Sequence, residues 1–529
     1  MRNEAKRFGF LALGGVLTGI TLVITDVGFL CFLSLIPAAL VLLSIAEKEK
    51  FRALFGYGFF LFMCFYLVVY HWFITLYPLE FIEGITRGEA LFIVLAGWLG
   101  LSLLQSLGGG ILFLLFGALC RTKTVQKYPV AKPFFAAMLW VILEWSETLG
   151  WWGVPWGRLS IALSKYPFLL QTASLFGSCF ITFFVVAINF LLAYAILLAD
   201  KRRVLSVLAG GLALLHVLCC GILWTQGAKN DGNTITVAAV QGNVDTAEKW
   251  DKDLVYKTFE IYRKNTVAAA SEGAEIVLWP ETALPLTLSE GSSAESYALS
   301  VAEEAKIPVL VGAFTMDNAD NQYNSILLVT PDGKIEDNFY SKRHLVPFGE
   351  YLPMQSMFAF LFPPVSELMR ADVLTAGKGA NIIATGDAKI GALICFDSIY
   401  ESLALESVRE GATLLTVSTN DSWFMDSAAL YMHNAQAQLR AIESSRYVVR
   451  AANTGVSSVI SNRGEILSLT EPYEETYIVA EVYEREGRTL YSYVGNLIVW
   501  LSIIVTVMCL MCELRFENLL TKSKRTDKM

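Results

Sequence analysis

Long apolar segments constrain this chain more than any other feature of its sequence. The segment from Phe168 to Leu198 has no charged residue, and the whole chain is 54% hydrophobic and only 17% charged. A bilayer core needs about 20 apolar residues per helix, whereas an ordinary soluble domain is about 25% charged. We therefore predict eight transmembrane spans, at roughly 8–25, 27–46, 54–76, 89–119, 134–150, 168–199, 203–225 and 491–512.

The fifth predicted span contains two carboxylates, Glu144 and Glu147. Ionised side chains are costly in hydrocarbon, so we expect both to face the protein interior or to lie near the interface. The sequence leaves open whether they bind the amines of lipid headgroups.

The sequence between Trp224 and Tyr491 has a different character. Short apolar runs at 236–240, 275–279, 308–313, 390–394 and 414–418 alternate with amphipathic stretches near 252–270, 292–305 and 426–444. Such runs are typical of buried strands, and Asp332-Gly333 and Asn462-Arg463-Gly464 are typical of hairpin turns. The predicted fold class is a polytopic α-helical membrane domain with an inserted α/β domain. We place helices one to seven in 1–226, the α/β domain in 234–484, and helix eight with a cytoplasmic tail in 490–529.

Lysine and arginine are unevenly distributed over the loops, and cytoplasmic loops normally carry the excess. With eight spans and a cytoplasmic N-terminus, the short outside loops carry only Arg87, Arg158 and Lys165. The inside segments carry Arg2, Lys6, Arg7, Lys48, Lys50, Arg52, Arg121, Lys123, Lys127, Lys132, Lys201, Arg202, Arg203, Arg515, Lys522, Lys524, Arg525 and Lys528. This asymmetry predicts that the α/β domain lies on the outer face of the membrane.

Several classes of function are disfavoured. A net charge of −8 without a long block of Lys or Arg argues against a nucleic-acid partner. The α/β domain has one Cys and two His without a metal-ligand spacing, and the chain lacks a phosphate-binding loop of the GxxxxGK[S/T] kind. We expect no metal and no cofactor.

The one cysteine of the α/β domain, Cys395, is a candidate nucleophile. It ends the apolar run 389–395, and an amphipathic stretch at about 398–410 follows. The sulfur is therefore predicted to lie at a strand-to-helix turn, where the N-terminal amides of a helix favour a thiolate. A buried, inert thiol is the alternative.

A thiol nucleophile needs a base. Neither His344 nor His433 has a spacing that identifies it as the partner of Cys395. Glu281, which directly follows Trp279-Pro280 at the end of an apolar run, is a better candidate, and a surface carboxylate is the alternative. Lys342 could stabilise an oxyanion, and the turn after it returns a second carboxylate, Glu350.

These segments together resemble a known family. Trp279-Pro280-Glu281, Lys342 with Pro347-Phe348-Gly349-Glu350, and Ile394-Cys395 are similar to the Glu-Lys-Cys triad of the carbon–nitrogen hydrolase (nitrilase) superfamily. The membrane-embedded branch of that superfamily, the apolipoprotein N-acyltransferases, resembles the chain over essentially its whole length. The other motifs that carry the resemblance are Val240-Gln-Gly-Asn243, Lys249-Trp250, Tyr323-Asn-Ser325, Asn420-Asp-Ser-Trp423 and Gly153-Val-Pro-Trp156. After the nucleophile the family often has an aromatic residue and Glu, whereas this chain has Phe396 and Asp397.

The resemblance implies a nitrilase-like αββα sandwich and a bacterial inner-membrane enzyme whose catalytic domain faces the periplasm. It implies acyl transfer from a membrane phospholipid, through a thioester on Cys395, to the amine of a diacylated apolipoprotein. Glu281 would be the base, Lys342 would stabilise the oxyanion, and Glu350 and Asp397 would support them. We expect the protein to be monomeric.

Substrate contacts are expected from four further residues, namely Trp250, Asn324, Phe358 and Trp423. Phe358 belongs to an unusually apolar stretch, 354–365. We interpret this stretch as a lid that guides acyl chains to Cys395, with a buried loop as the alternative.

Two other functions remain compatible with the sequence. A membrane-tethered amidase or nitrilase would use the same triad with water as the acceptor. A transporter or structural membrane protein with an inactive α/β domain would not use it at all. Transfer of an acyl chain to a lipopeptide amine would distinguish an acyltransferase from the amidase or nitrilase. If replacing Cys395 or Glu281 by Ala leaves activity unchanged, the α/β domain is not an enzyme of this kind.

Overall fold

The fold is described from a computed structural model of the chain, which describes residues 4–79, 84–228, 232–244, 255–361 and 374–526. The chain divides into two compact units. One contains Met1–Pro78, Ile85–Trp224 and Val494–Met529, and the other contains Leu79–Gly84 and Thr225–Tyr493.

The first unit is helical. Its α-helices span Glu4–Val23, Cys31–Ser34, Ile36–Ile45, Phe51–Val69, Arg87–Cys120, Lys123–Lys127, Lys132–Ser146, Ala173–Phe176, Ser178–Leu197, Arg202–Gly227 and Leu497–Thr526. Short 3-10 helices span Thr25–Leu30, His71–Leu76, Pro129–Ala131, Leu159–Leu163 and Pro167–Leu170.

Six helical segments of the described chain are long and apolar enough to cross a membrane, against the eight predicted. They are Glu4–Val23, Thr25–Ile45, Phe51–Val69, Arg87–Cys120, Ser178–Leu197 and Arg202–Gly227, and each coincides with a predicted span. The predicted span 134–150 holds the 15-residue helix Lys132–Ser146, which at 1.5 Å per residue falls short of a core about 30 Å thick. The predicted span 491–512 holds the shorter apolar helical stretch Leu497–Cys512.

Glu144 and Glu147 lie in the interior of this unit, at 2% and 4% exposure. The Glu144 carboxylate accepts hydrogen bonds from the Leu159 amide (2.9 Å) and the Thr182 hydroxyl (2.7 Å). The Tyr66 hydroxyl donates to Glu147. Because buried carboxylates need such donors, these contacts hold the helix Lys132–Ser146 and the turn after it against its neighbours.

The second unit contains two mixed β-sheets. Its strands are β1 Thr234–Gln241, β2 Ile276–Leu278, β3 Leu284–Thr287, β4 Val309–Met316, β5 Gln322–Thr330, β6 Lys334–Ile335, β7 Tyr340–Ser341, β8 Ile383–Thr385, β9 Ala388–Ile394, β10 Leu414–Thr419, β11 Val448–Ala452, β12 Ser458–Ile460, β13 Ile466–Leu469 and β14 Thr476–Tyr483. The first sheet has the order β14-β1-β2-β4-β5-β6, with β3 on β4 and β7 on β5, and the second has the order β13-β12-β11-β10-β9-β8. The central pairs β1–β2, β2–β4, β9–β10 and β10–β11 are parallel.

The two sheets pack face to face. Because side chains alternate along a strand, one face of the first sheet packs against the second sheet and its other face packs against helices. Val237 and Ala239 of β1 pack with Ile390 of β9 and Val449 of β11 in a core between the sheets. The intervening β1 residues Ala238 and Val240 pack instead against the helices Val255–Ser271 and Ser293–Ala305.

Helices cover the outer faces, which gives the predicted αββα sandwich. The helices Glu401–Arg409 and Ala428–Ser444 contact the second sheet, and the remaining described helices are Gln355–Leu361 and Leu490–Val494, with 3-10 turns at Cys395–Ile399 and Asp421–Phe424. The five apolar runs form β1, β2, β4, β9 and β10, and the three amphipathic stretches form helices. Both predicted turns join antiparallel strands, β5–β6 and β12–β13.

Candidate active site

Glu281 follows β2, and three contacts fix the backbone of the two residues that precede it. The Trp279 amide donates to the Leu310 carbonyl (2.9 Å), and the Ser418 hydroxyl of β10 donates to the Trp279 carbonyl (2.9 Å). A Cβ at Gly312 of β4 would lie 2.0 Å from the Pro280 carbonyl oxygen. Only a residue without a side chain fits that contact, so β4 and β10 together fix where the Glu281 side chain begins.

Lys342 follows the short strand β7, which pairs with β5. Its amide donates to the Asn324 carbonyl, and its own carbonyl accepts from the Gly377 amide, both at 2.8 Å. A Cβ at Gly377 would lie 2.2 Å from the Ser341 carbonyl oxygen. The backbone of Lys342 is therefore clamped between β5 and the segment around Gly377.

The Lys342 ammonium bridges two carboxylates. Its Nζ lies 2.9 Å from Glu281 Oε1 and 2.7 Å from Glu350 Oε1, and the lysine is 1% exposed. Burial by itself lowers the pKa of Lys342, but Glu281 and Glu350 outweigh burial and hold that pKa well above its ordinary value. The ammonium is a fixed positive charge in a site largely screened from water.

Each carboxylate is fixed by a further donor. Asn324 Nδ2 donates to Glu281 Oε1 (2.7 Å), and the Asn420 amide donates to Glu281 Oε2 (2.9 Å). The Val346 amide donates to Glu350 Oε2 (2.8 Å). Glu281, Lys342 and Glu350 thus form one hydrogen-bonded cluster, and Asn324 contacts it directly.

Cys395 directly follows β9, at the start of the 3-10 turn Cys395–Ile399, and is partly buried. Burial raises the pKa of its thiol, the charge of Glu281 raises it further, and the charge of Lys342 opposes both. The charges of Glu281 and Lys342 therefore act on the thiol in opposite directions. Cys395 lies at the predicted strand-to-helix turn, and a 3-10 turn, Cys395–Ile399, separates it from the helix Glu401–Arg409.

Asp397 ties the turn after Cys395 to the segment around Lys342. Its Oδ1 accepts from the His344 amide (2.7 Å) and its Oδ2 from the Tyr340 hydroxyl (2.8 Å), while the Arg343 and Ile394 amides are also within 3.4 Å. The shorter side chain of Asp reaches donors on both sides of Lys342.

The carboxyl of Asp397 gives an expected pH dependence. Burial raises its pKa to about 6, against the opposing hydrogen bonds from His344 and Tyr340. The folded state therefore holds the proton more tightly than the unfolded chain, so this contribution to stability is complete below about pH 4 and is lost as the pH rises through 6. A shift of about two pKa units corresponds to about 3 kcal/mol.

The measurement compares the wild type with Asp397→Asn, whose amide does not titrate, by thermal unfolding in detergent from pH 4 to pH 8. The wild type should lose stability relative to Asp397→Asn as the pH rises. A difference that stays constant over this range would show that the carboxyl is not perturbed in this way.

Comparison with known proteins decides the family. The chain is 31% identical over 515 residues to the apolipoprotein N-acyltransferase of Gloeobacter violaceus, an alignment that covers 96% of this chain and 95% of that protein. The chain belongs to the apolipoprotein N-acyltransferase family.

Two family models and a second relative agree with this assignment. Residues 14–191 match the apolipoprotein N-acyltransferase N-terminal domain, and residues 236–489 match the carbon–nitrogen hydrolase family. The apolipoprotein N-acyltransferase of Geobacter metallireducens is 34% identical over 69% of this chain and 70% of its own length. Among solved structures, Saccharomyces cerevisiae Nit3 of the nitrilase superfamily matches with a TM-score of 0.39 and 20% identity over 51% of this chain and 96% of that chain. This acyltransferase is a multi-pass membrane protein with a nitrilase-like domain.

The structure defines less about the other three predicted substrate-binding residues, Trp250, Phe358 and Trp423. Trp423 lies in the 3-10 turn Asp421–Phe424 and is 45% exposed. Phe358 lies in the helix Gln355–Leu361, but its side chain is outside the described part of the structure. Trp250 and the predicted lid beyond residue 361 also lie outside the described residues. Within the described start of that stretch, Met354 and Phe360 are exposed.

Sequence reasoning missed a buried polar group behind the nucleophile. Asp421, His433 and Arg450 are almost inaccessible to solvent and hydrogen-bond with one another, and His433 reaches the Cys395 carbonyl. The signal available was a charged residue, Arg450, inside a strand that is otherwise apolar.

The second histidine of the α/β domain, His344, is not part of this group. Its ring packs 4.0 Å from that of Tyr400, and burial lowers the pKa of His344 to about 4. No cluster of potential metal ligands occurs among the residues that the structure describes.

Proposed function

We propose that this acyltransferase takes an acyl chain from a membrane phospholipid and transfers it to the α-amine of the N-terminal diacylglyceryl-cysteine of an apolipoprotein. The observation that carries the proposal is the buried cluster in which Glu281 and Glu350 hold the Lys342 ammonium, 2.9 Å and 2.7 Å from its Nζ. Membership of the family supports the choice of acyl acceptor, because its members are named for transfer to apolipoproteins.

In the first half-reaction, Glu281 accepts the Cys395 proton and the thiolate attacks the carbonyl carbon of the phospholipid ester. A carbon–sulfur bond forms, and the negative charge that develops on the carbonyl oxygen is stabilised by the Lys342 ammonium. The carbon–oxygen ester bond then breaks, and the departing alkoxide takes the proton from Glu281. The products are a thioester on Cys395 and a lysophospholipid.

In the second half-reaction, the acceptor amine attacks the thioester carbon and loses a proton to Glu281. A carbon–nitrogen bond forms, the carbon–sulfur bond breaks, and the thiolate regains its proton from Glu281. Because the lysophospholipid leaves before the acceptor binds, we expect ping-pong kinetics.

Glu350, Asn324 and Asp397 are proposed as positioning residues. Glu350 holds the Lys342 ammonium from the side opposite Glu281, and Asn324 orients the carboxylate of Glu281. Asp397 holds the backbone after Lys342 against the turn that carries the nucleophile.

The lipid contacts are proposed from exposure and composition. The exposed Met354 and Phe360 support a lid over residues 354–365 that contacts acyl chains. Phe358 is proposed to bind substrate within this lid, and Trp250 and Trp423 are proposed to bind substrate beside it. Replacing phenylalanines of this lid by Ser should reduce lipid turnover more than thermal stability.

The arrangement in the cell is proposed from the Lys and Arg distribution, and it requires that the short helix Lys132–Ser146 crosses the membrane together with the six longer helices that precede the α/β domain. We propose that residues 234–484 face the periplasm of a bacterial inner membrane, between helices in 1–226 and a last helix in 490–529, in a monomeric enzyme.

The test is mass spectrometry of the full-length protein after incubation with phospholipid alone. We expect a covalent acyl adduct on the peptide containing Cys395, which disappears when a diacylated lipopeptide is added, while the lipopeptide gains one acyl chain. Cys395→Ala is the matched control and should give neither product. Release of free fatty acid without lipopeptide acylation would instead identify a hydrolase, and full activity of Cys395→Ala would overturn the proposal.

A further inference from the structure

His433 lies directly behind the nucleophile. It belongs to the helix Ala428–Ser444, is 1% exposed, and places Nε2 3.2 Å from the Cys395 carbonyl oxygen and 3.0 Å from the Ser398 hydroxyl. The Ser398 hydroxyl donates to the same carbonyl at 2.7 Å. The Cys395 carbonyl is therefore held by an imidazole and a hydroxyl.

The other edge of the imidazole is fixed by a buried ion pair. Nδ1 lies 2.9 Å from Asp421 Oδ1 and 3.1 Å from Arg450 Nη2, and Arg450 Nη2 lies 2.5 Å from Asp421 Oδ2. Arg450 also donates to the Val456 carbonyl. Asp421 and Arg450 are 0% exposed, so the ring is anchored to the interior of the sandwich rather than to a surface loop.

We assign a proton to Nε2 from the hydrogen-bond partners of the ring, because the Ser398 hydroxyl donates to the Cys395 carbonyl and leaves its own oxygen as an acceptor. A carbonyl oxygen only accepts, so Nε2 must donate to reach Cys395. Nδ1 can then accept from Arg450 in the neutral ring or donate to Asp421 in the charged ring. In both protonation states Nε2 remains a donor toward the Cys395 carbonyl.

The backbone of Cys395 needs such an anchor. Its φ is 48°, in the left-handed region that residues with a Cβ rarely occupy. Such a conformation persists only where its surroundings fix it. If the carbonyl were released, rotation about the Cys395 backbone would carry the sulfur away from Glu281 and Lys342.

We propose that His433 is a positioning residue that, with Ser398, locks the Cys395 carbonyl and thereby holds the sulfur in its attacking position. The inference rests on the proposed function, in which Cys395 is the nucleophile. His433 does not touch the substrate in this scheme and acts through the conformation of Cys395.

Two substitutions separate this role from a structural one. The side-chain amide of His433→Gln can reach the place of Nε2 and donate to the Cys395 carbonyl, whereas that of His433→Asn reaches only the place of Nδ1. Both remove the ring and should lower the melting temperature similarly. We expect His433→Asn to slow thioester formation about tenfold to a hundredfold, with an unchanged KM for phospholipid, as for a slightly misplaced reacting group. His433→Gln should restore most of that rate.

The measurement is single-turnover acylation of the full-length enzyme in detergent, followed on the peptide that contains Cys395. Gln438→Leu is the control, since Gln438 lies on the same helix, is buried and donates to the Gly464 carbonyl instead. It should lower the melting temperature without slowing acylation. Ser398→Ala, which removes the other anchor, provides an independent test and should also slow acylation.

Equal rates for His433→Asn and the wild type, or equal losses for His433→Asn and His433→Gln, would overturn the positioning role. If His433→Asn does not fold, a normal acylation rate for Ser398→Ala has the same consequence. Failure of the proposed function looks different, because Cys395→Ala would then remain fully active whatever the His433 variants do.

Discussion

Lys342→Met should abolish acyl transfer, with a loss of about a thousandfold in the rate of thioester formation. Removing one donor that stabilises a developing oxyanion costs about a hundredfold to a thousandfold, and here the same group also fixes Glu281 and Glu350. Single-turnover acylation of Cys395 measures the loss directly. Lys334→Met is the control, because that lysine lies on β6 in an exposed ion pair with Asp332, and such pairs contribute little.

The same substitution leaves two buried carboxylates without their cation, so activity and stability must be separated. Breaking a buried pair costs about 3–5 kcal/mol. Adding Glu350→Gln to Lys342→Met removes one of the two charges and should recover part of the melting temperature but none of the activity. Recovery of activity in this double variant would show that Lys342 serves only to neutralise charge.

Arg450→Met should produce the largest loss of stability. Arg450 and Asp421 form an ion pair in which both side chains are fully buried, and burial alone would raise the pKa of Asp421, which Arg450 and His433 instead hold below its ordinary value. Without Arg450 an uncompensated carboxylate remains in the core, at a cost of about 3–5 kcal/mol. Thermal unfolding in detergent measures this as a lower melting temperature.

The comparison variant is Arg463→Met, which breaks a partly exposed pair with Glu465 on the turn between β12 and β13. It should cost about 1 kcal/mol or less. Combining Arg450→Met with Asp421→Asn should restore part of the stability. If Arg450→Met and Arg463→Met melt at the same temperature, the buried pair does not stabilise the fold.

Much of the fold follows from apolar patterning in the sequence. Five apolar runs became central strands, because parallel strands buried on both faces are nearly continuous in apolar residues. The membrane spans followed from length and composition. Hydropathy alone could not show that the helix in the fifth predicted span ends at Ser146. That helix is followed by a non-helical segment, 147–158, in which Glu147 and Arg158 are buried.

The site was harder to predict because its geometry depends on pairing between distant segments. Glu281 and Cys395 were selected as residues at the ends of apolar runs, and Lys342 for its charge and the turn after it, but only the folded sheets bring Lys342 to 2.9 Å from Glu281. The left-handed φ of Cys395 leaves no trace in the sequence, since a glycine there would have indicated it and a cysteine does not. The group of Asp421, His433 and Arg450 was missed because its members are far apart in the sequence, and only the packing of β10, β11 and the helix Ala428–Ser444 brings them together.

The glycines at 312 and 377 have a consequence for how this enzyme can be engineered. Neither carries a reactive group, yet each leaves no room for a methyl between its own chain and the carbonyl that precedes a member of the proposed triad. A saturation library scored on growth or turnover would therefore rank these two positions beside the nucleophile. Efforts to change lipid preference have more room at the half-exposed Trp423, where a side chain of another size meets solvent rather than a backbone carbonyl.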